Sequence, residues 1–465
     1  MQQRTPLFSQ LMQHAKIVRG NFYVPGHKGG NFFDEEAFKY YKHLLKLDAT
    51  EVGELDDLHD PSGVIHEAQL LAADAFGAEK TFFLVGGTTA GNLAAILALV
   101  NPGDQFMMTR SSHQSIFHAA LLARAVVHFL PTKLDRTTNL EMPLCPNELA
   151  ELLRAHPQVK TVVITSPSYF GVVQPIEALT DVCHQFKIPL IVDEAHGAHF
   201  QFHENLPSSA MQAGADIAIQ STHKMLFSLT MSSMLHLQGN LICAEAIAYW
   251  LRVIESSSPS YLLMASLDVT RRQMALYGRE KISEQLTMLA AKRLETDGLT
   301  NFQLLKVDDP FKFLFRVQNN QGYYAQEWLA TKGHYAELAM PDKLLLCLSL
   351  GTTAQELAEV IMLLKELDQI LNKPNKLAPT EFSFPAQETV TIDFGRQHKK
   401  LRKCTLTEAG GQYAAEHIIP YPPGIPLVVA GELITAEAIE YITKMMDAGG
   451  KVRGITAEEI HVLDT

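Results

Sequence analysis

Residues 188–200 read IPLIVDEAHGAHF: five mainly apolar residues followed at once by Asp193, Glu194 and His196. A short apolar run that ends in charge predicts a strand covered on both faces, delivering a carboxylate to its C-terminal tip. An acid at the tip of a buried strand is desolvated, and it is stable there when a cationic group meets it. The plain alternative is an Asp that caps the next helix.

The same pattern recurs on either side. TFFLV (81–85), QFMMT (105–109), VVHFL (126–130), TVVIT (161–165) and DIAIQ (216–220) are continuous apolar runs separated by segments long enough for crossover helices. They predict an α/β fold with a mostly parallel sheet, in which ligands sit beyond the carboxyl ends of the strands. Thirty-one residues after Asp193, DIAIQSTHKM (216–225) places Lys224 just past another strand end, behind Ser221, Thr222 and His223. A lysine that is partly desolvated and near other cations gives up its proton readily, as an imine-forming amine requires. Against this stands an ordinary solvated loop lysine. In LVGGTTAGNLAAILALV (84–100) a strand ends in Gly86, Gly87, Thr88 and Thr89 and becomes a helix. Glycines allow close approach, a helix N-terminus offers N–H groups, and two hydroxyls add donors, which together make a phosphate cradle. A strand-to-helix turn with a Thr cap is the alternative. A Walker A lysine and GxGxxG are both missing, which disfavours a nucleoside triphosphate or a dinucleotide.

Cradle, strand-tip acid and strand-end lysine, in that order along one parallel sheet, are the parts of a fold-type I enzyme that uses pyridoxal 5'-phosphate (PLP). The chain also resembles the Orn/Lys/Arg decarboxylases, in the shorter form without an N-terminal receiver-like wing domain. The resemblance is carried by PGHKGG (25–30), LDDLHDPSGVIHEAQ (55–69), GGTTAGN (86–92), RSSHQS (110–115), SPSYFG (166–171), DEAHGAHF (193–200), STHK (221–224), SSSPSYLLMASLD (256–268) and PYPPGIPL (420–427). It implies a PLP-dependent transferase-like large domain with smaller α+β domains after it. It implies that Lys224 holds PLP as a Schiff base, that Asp193 pairs with the pyridine nitrogen and that His113 stacks on the ring. Gly87, Thr88, Thr89, Ser221 and His223 would hold or flank the phosphate, Ala195 would pack beneath the ring, and His196 would lie beside it. His223 or His196 would return a proton to the substrate carbon, or only orient neighbours. The segment around His59, Pro61, Ser62 and Gly63, with PSY at 259–261, resembles the family's cleft or dimer-interface pieces. Departures from the family pattern fall at Gln114, Phe227, Met231 and GQYAAE (411–416).

The implied reaction is decarboxylation of arginine, lysine or ornithine to the amine and carbon dioxide. Another fold-type I reaction, such as transamination or elimination, uses the same parts, and a non-catalytic PLP-binding paralogue is a third possibility. A metal site at His196, His199 and His203 is disfavoured because HExxH is missing and the cofactor already uses this loop.

With 465 residues, 47% hydrophobic and 19% charged, the chain is expected to fold throughout as more than one domain. The expected segments are an arm at 1–70, the PLP domain at 71–265, a small α/β domain at 266–371 and a C-terminal domain at 372–465, entered through the Pro-rich linker NKPNKLAPTEFSFP (372–385). A formal net charge of -12 without a long basic run argues against nucleic acid. Five scattered cysteines with no CxxC argue for a reducing compartment. No signal peptide or apolar span of membrane length is legible, so the expectation is a cytoplasmic protein that does not enter a membrane. The family resemblance implies a homodimer or an assembly of dimers.

Overall fold

The computed structural model describes residues 1–371, 390–395, 401–421, 424–456 and 459–464. The linker expected at 372–385 therefore lies outside the described residues, as do Pro422 and Pro423 of the 420–427 motif. In chain order the first strands are β1 Lys80–Leu84, β2 Gln105–Thr109, β3 Val126–Leu130, β4 Val159–Thr165, β5 Leu190–Asp193, β6 Ile217–Gln220 and β7 Ser233–Leu237. After them come β8 Phe302–Leu304, β9 Lys312–Val317, β10 Leu338–Met340, β11 Lys343–Cys347 and β12 Thr391–Asp393. The protein is α/β with a mostly parallel large sheet, as its apolar runs predict, and it divides into two units: 1–99 with 183–283, and 100–182 with 284–465.

In the first unit the strand order is β1-β7-β6-β5. β5 and β6 run parallel, with Asp193 opposite Ile219, and Leu190, Ile191, Val192, Ile217, Ala218 and Ile219 are fully buried. β7 was not expected. It runs antiparallel to both β6 and β1, because residues 221–232 form a tight turn around Lys224 and not a crossover helix. Helix Gly87–Leu99 follows β1 through Val85 and Gly86. Gly87 has φ +75, which favours glycine, while a Cβ on Gly91 would sit 2.7 Å from Leu84 Cδ1 and 2.8 Å from Ile219 Cγ2. Gly91 therefore lets the helix close down on the strands and holds its first turn over their tips.

The 1–70 segment is more helical than an extended arm. Helices Pro6–Ile17 and Val64–Phe76 bury Leu7, Leu11, Ile65 and Phe76. Asp268, in the 34-residue helix Tyr261–Leu294, accepts from Leu7 N–H at 3.1 Å and Phe8 N–H at 3.3 Å, while Arg271 donates to the carbonyls of Gln2 and Arg4.

In the second unit β2 pairs in parallel with β3 and β4, and β12 lies antiparallel on β3. A four-stranded antiparallel sheet, β10-β11-β9-β8, follows. The C-terminal segment packs helix Ala436–Asp447 over Ile434, Ile460 and Val462. Among the described residues no helix is long and apolar enough to cross a membrane.

Candidate active site

Asp193 closes β5 and is 2% exposed. Its Oδ2 accepts from Asn92 Nδ2 at 3.0 Å and its Oδ1 from the Ala195 N–H at 3.2 Å. A carboxylate accepts about four hydrogen bonds, so acceptor capacity remains for a cationic N–H. The next side chain turns to the opposite face, as the strand period requires. Glu194 accepts from the Ala210 N–H and from Gln220 Nε2, each at 2.8 Å. Burial pushes its carboxyl up to about 8, against the pull of those two donors.

Lys224 sits in the one-turn helix Thr222–Met225 that follows β6, with its backbone N–H on Ser221 O at 2.9 Å. Its side chain is exposed in the single chain, and Nζ lies 3.2 Å from His196 Nε2. His196 stands three residues beyond Asp193. One imidazole thus ties the lysine after β6 to the acid-bearing tip of β5.

His223 Nδ1 lies 3.0 Å from Ser232 O. A carbonyl only accepts, so Nδ1 carries the proton and Nε2 keeps its lone pair. Burial lowers the pKa of His223 and the Lys224 charge lowers it further, with the Ser232 carbonyl opposing. The ring is therefore neutral near pH 7.

Three hydroxyls converge at the start of helix Gly87–Leu99. Thr88 Oγ1 lies 2.6 Å from Ser221 Oγ and donates to Ser233 Oγ at 3.1 Å. Thr89 is exposed beside them. Glu255 already occupies the Val85 and Gly86 N–H groups at 3.0 and 2.7 Å, so an anion at this turn would meet backbone donors from Gly87 onward. Burial pushes Glu255 up to about 7, with the two amides and His59 opposing.

Two of the expected cleft segments meet. The Asp56 carboxylate accepts from the N–H groups of Ser62, Gly63 and Ile65 at 3.0, 2.8 and 2.9 Å, and its carbonyl takes the Tyr261 hydroxyl. Burial works against the charge on Asp56, but the surrounding backbone N–H groups prevail and hold its pKa below the usual carboxylate value. His59 Nε2 reaches Ser256 O at 2.8 Å. In the second unit His113 caps helix Gln114–Ala123 with its own ring, Nδ1 accepting from the Ser115 N–H at 3.2 Å.

The structure thus brings Gly87, Thr88, Asp193, Ala195, His196, Ser221, His223 and Lys224 into one unit. Four residues that the sequence did not single out complete it: Asn92, Gln220, Ser233 and Glu255. A signal existed only for Asn92, which falls one helical turn after Thr88 and so on the same face. The other three are specified by tertiary partners. The histidines considered for a metal go separate ways, His196 to Lys224 and His203 to Ser283 Oγ at 2.8 Å.

The residues present fit PLP. Asp193 is buried with acceptor capacity to spare, an amine stands on the neighbouring strand tip, and a helix N-terminus with hydroxyl donors is set to receive a phosphate. The fold is that of the fold-type I PLP enzymes, and the solved structure of Francisella novicida lysine decarboxylase LdcF superposes with a TM-score of 0.83 at 21% identity, over 99% of this chain and 81% of that one. The model of the Orn/Lys/Arg decarboxylase major domain matches residues 5–314, and that of the C-terminal domain matches 386–463. The chain belongs to the Orn/Lys/Arg decarboxylase family. It is 37% identical to the uncharacterized protein YaaO of Bacillus subtilis, over 97% of this chain and 96% of YaaO. It is 33% identical to the arginine decarboxylase of the same organism, over 99% of this chain and 98% of that enzyme.

Proposed function

We propose that this protein is a PLP-dependent decarboxylase of a basic amino acid, with arginine as the first substrate to test. The observation that carries the proposal is the bridge from Lys224 Nζ through His196 to the Asp193 strand tip, beside a hydroxyl-lined helix N-terminus. Several relatives that match nearly the whole chain are named arginine decarboxylase, which supports arginine over lysine and ornithine.

When bound, PLP supplies an electron sink for the pair left behind as the bond from the α carbon to the carboxylate breaks. The chain's own residues do the rest. Lys224 would hold the cofactor covalently and yield it to the substrate amine. Asp193, fixed by Asn92 and Ala195, would hold a proton on the ring nitrogen by offering a buried negative acceptor. Thr88, Thr89, Ser221 and the N–H groups from Gly87 onward would hold the phosphate, and Ala195 would lie beneath the ring. His196, in contact with the lysine amine, would pass a proton between Lys224 and the substrate carbon. His223 is held neutral with an open lone pair, as a proton acceptor.

We also infer a homodimer. The segment 20–47 leaves Phe22 and Phe32 wholly exposed and Tyr40 largely so, more aromatic surface than a free chain ordinarily shows to water. Sedimentation of the purified protein tests this, and a monomer at micromolar concentration would contradict it.

The test of function is to incubate PLP-loaded protein with arginine, lysine and ornithine and to follow carbon dioxide and amine. Stoichiometric release of both, fastest with arginine, is expected. Keto acid in place of carbon dioxide would overturn the proposal.

A further inference from the structure

Beneath the site, on the face opposite Asp193, a chain of hydrogen bonds runs across four neighbouring elements of one unit. Thr81 Oγ1 on β1 lies 2.8 Å from His236 Nδ1 on β7. His236 Nε2 lies 3.2 Å from Gln220 Oε1 at the end of β6. Gln220 Nε2 donates to Glu194 Oε2 just past β5, and Glu194 Oε1 accepts from Ala210 N–H. Thr81, Glu194, Gln220 and His236 are each at most 1% exposed. The donors all point one way. Gln220 spends its amide nitrogen on Glu194, so its carbonyl oxygen faces His236 and Nε2 must be the protonated ring nitrogen. Nδ1 then accepts from the Thr81 hydroxyl. The chain ends on the Glu194 carboxyl group, which accepts at both oxygens.

Glu194 is the residue after Asp193, and Gln220 is four residues before Lys224. A backbone bond from the Glu194 N–H to Ile219 O at 2.9 Å closes the same junction. We propose that Glu194 and Gln220 are positioning residues, which lock the tips of β5 and β6 in register and so fix where the Asp193 carboxylate and the Lys224 amine stand relative to one another. This deepens the function proposed above and rests on it. The physical basis is that a satisfied buried polar network has few alternative arrangements, and that a shift of about 1 Å between cooperating groups lowers a rate by about 100-fold.

The pattern of donors dictates the test. Gln220→Glu removes the amide donor and sets two buried carboxyl groups against each other. Adding Glu194→Gln exchanges the amide and the carboxylate between the two positions and restores every bond. The Ala210 N–H then donates to the amide oxygen at position 194, the amide nitrogen at position 194 donates to the carboxylate at position 220, and His236 Nε2–H donates to that same carboxylate. Gln220→Met removes the link without adding charge, should Gln220→Glu fail to fold. Three quantities are measured on each protein: the absorbance of the lysine–PLP link, its dissociation constant for PLP, and kcat and KM for arginine, alongside thermal unfolding without cofactor. Expected are a shifted absorbance, weakened PLP binding and a kcat lowered about 10- to 100-fold in Gln220→Glu and Gln220→Met, with KM changed far less. The Glu194→Gln/Gln220→Glu swap should recover all three. Single variants that lose thermal stability yet keep the wild-type absorbance and kcat would reduce the network to a stabilising role and overturn this inference alone. Wild-type protein that forms no lysine–PLP absorbance would overturn the functional proposal and this one with it.

Discussion

In the proposed function the Asp193 carboxylate and the Lys224 amine would do different work, and their replacement separates the two. Lys224→Ala should abolish turnover and the absorbance of the lysine–PLP link, while the fold survives because that side chain is exposed. Asp193→Asn keeps the shape but offers no negative acceptor to a ring N–H. Its kcat should fall about 10²- to 10³-fold, the size of effect seen when one preorganised electrostatic partner is removed. A steady-state assay with arginine measures both. Asn92→Ala is subtler, because it withdraws one donor from a buried carboxylate. Hydrogen bonds to charged groups contribute about 1.5–3 kcal/mol, and a loss in that range should appear in urea unfolding. An unchanged midpoint would show that another donor takes its place.

At the scale of elements, the long helix Tyr261–Leu294 anchors the N-terminal helix through two buried charges. Asp268 and Arg271 are both fully buried and paired with each other. Burial raises the pKa of Asp268, and Arg271 together with the Leu7 and Phe8 amides opposes it. Removing one member leaves the other charge buried and uncompensated, which costs about 3–5 kcal/mol. Asp268→Ala should therefore destabilise strongly in urea, and the double variant Asp268→Leu/Arg271→Met should recover much of the loss, since no lone charge remains. A long polar helix pattern from about Ser266 through Arg293 made the helix itself legible in the sequence. Its anchoring role was not, because nothing in the sequence pairs residues 268 and 271 with residues 2–8.

At the scale of the whole molecule, His236 makes stability depend on pH. Burial pushes its pKa down to about 3, whereas an unfolded histidine titrates near 6.5. The unfolded state therefore binds a proton that the folded state refuses, so this contribution is complete above about 6.5 and is lost as the pH falls from there toward about 3. Between neutral pH and about pH 5 this loss opposes the gain from the raised Glu194 and Glu255 carboxyls, and His236→Gln should remove it, so that the variant's urea midpoint falls less, or rises more, than that of the wild type as the pH is lowered. A variant as pH-sensitive as the wild type would assign the effect to other groups.

The sequence by itself determined the large-sheet runs, the strand-tip positions of Asp193 and Lys224 and the strand-to-helix turn at Gly87 and Thr88, because apolar periodicity and glycine placement are local properties of the chain. Only the tertiary structure decided that β7 returns antiparallel and that Asn92 feeds Asp193. It also decided that Glu255 holds the Val85 and Gly86 amides and that Glu194, Gln220, His236 and Thr81 form one buried chain. Those bonds join residues from 16 to 170 positions apart, and a buried polar side chain reveals its partner only when the fold has removed water as the competing one.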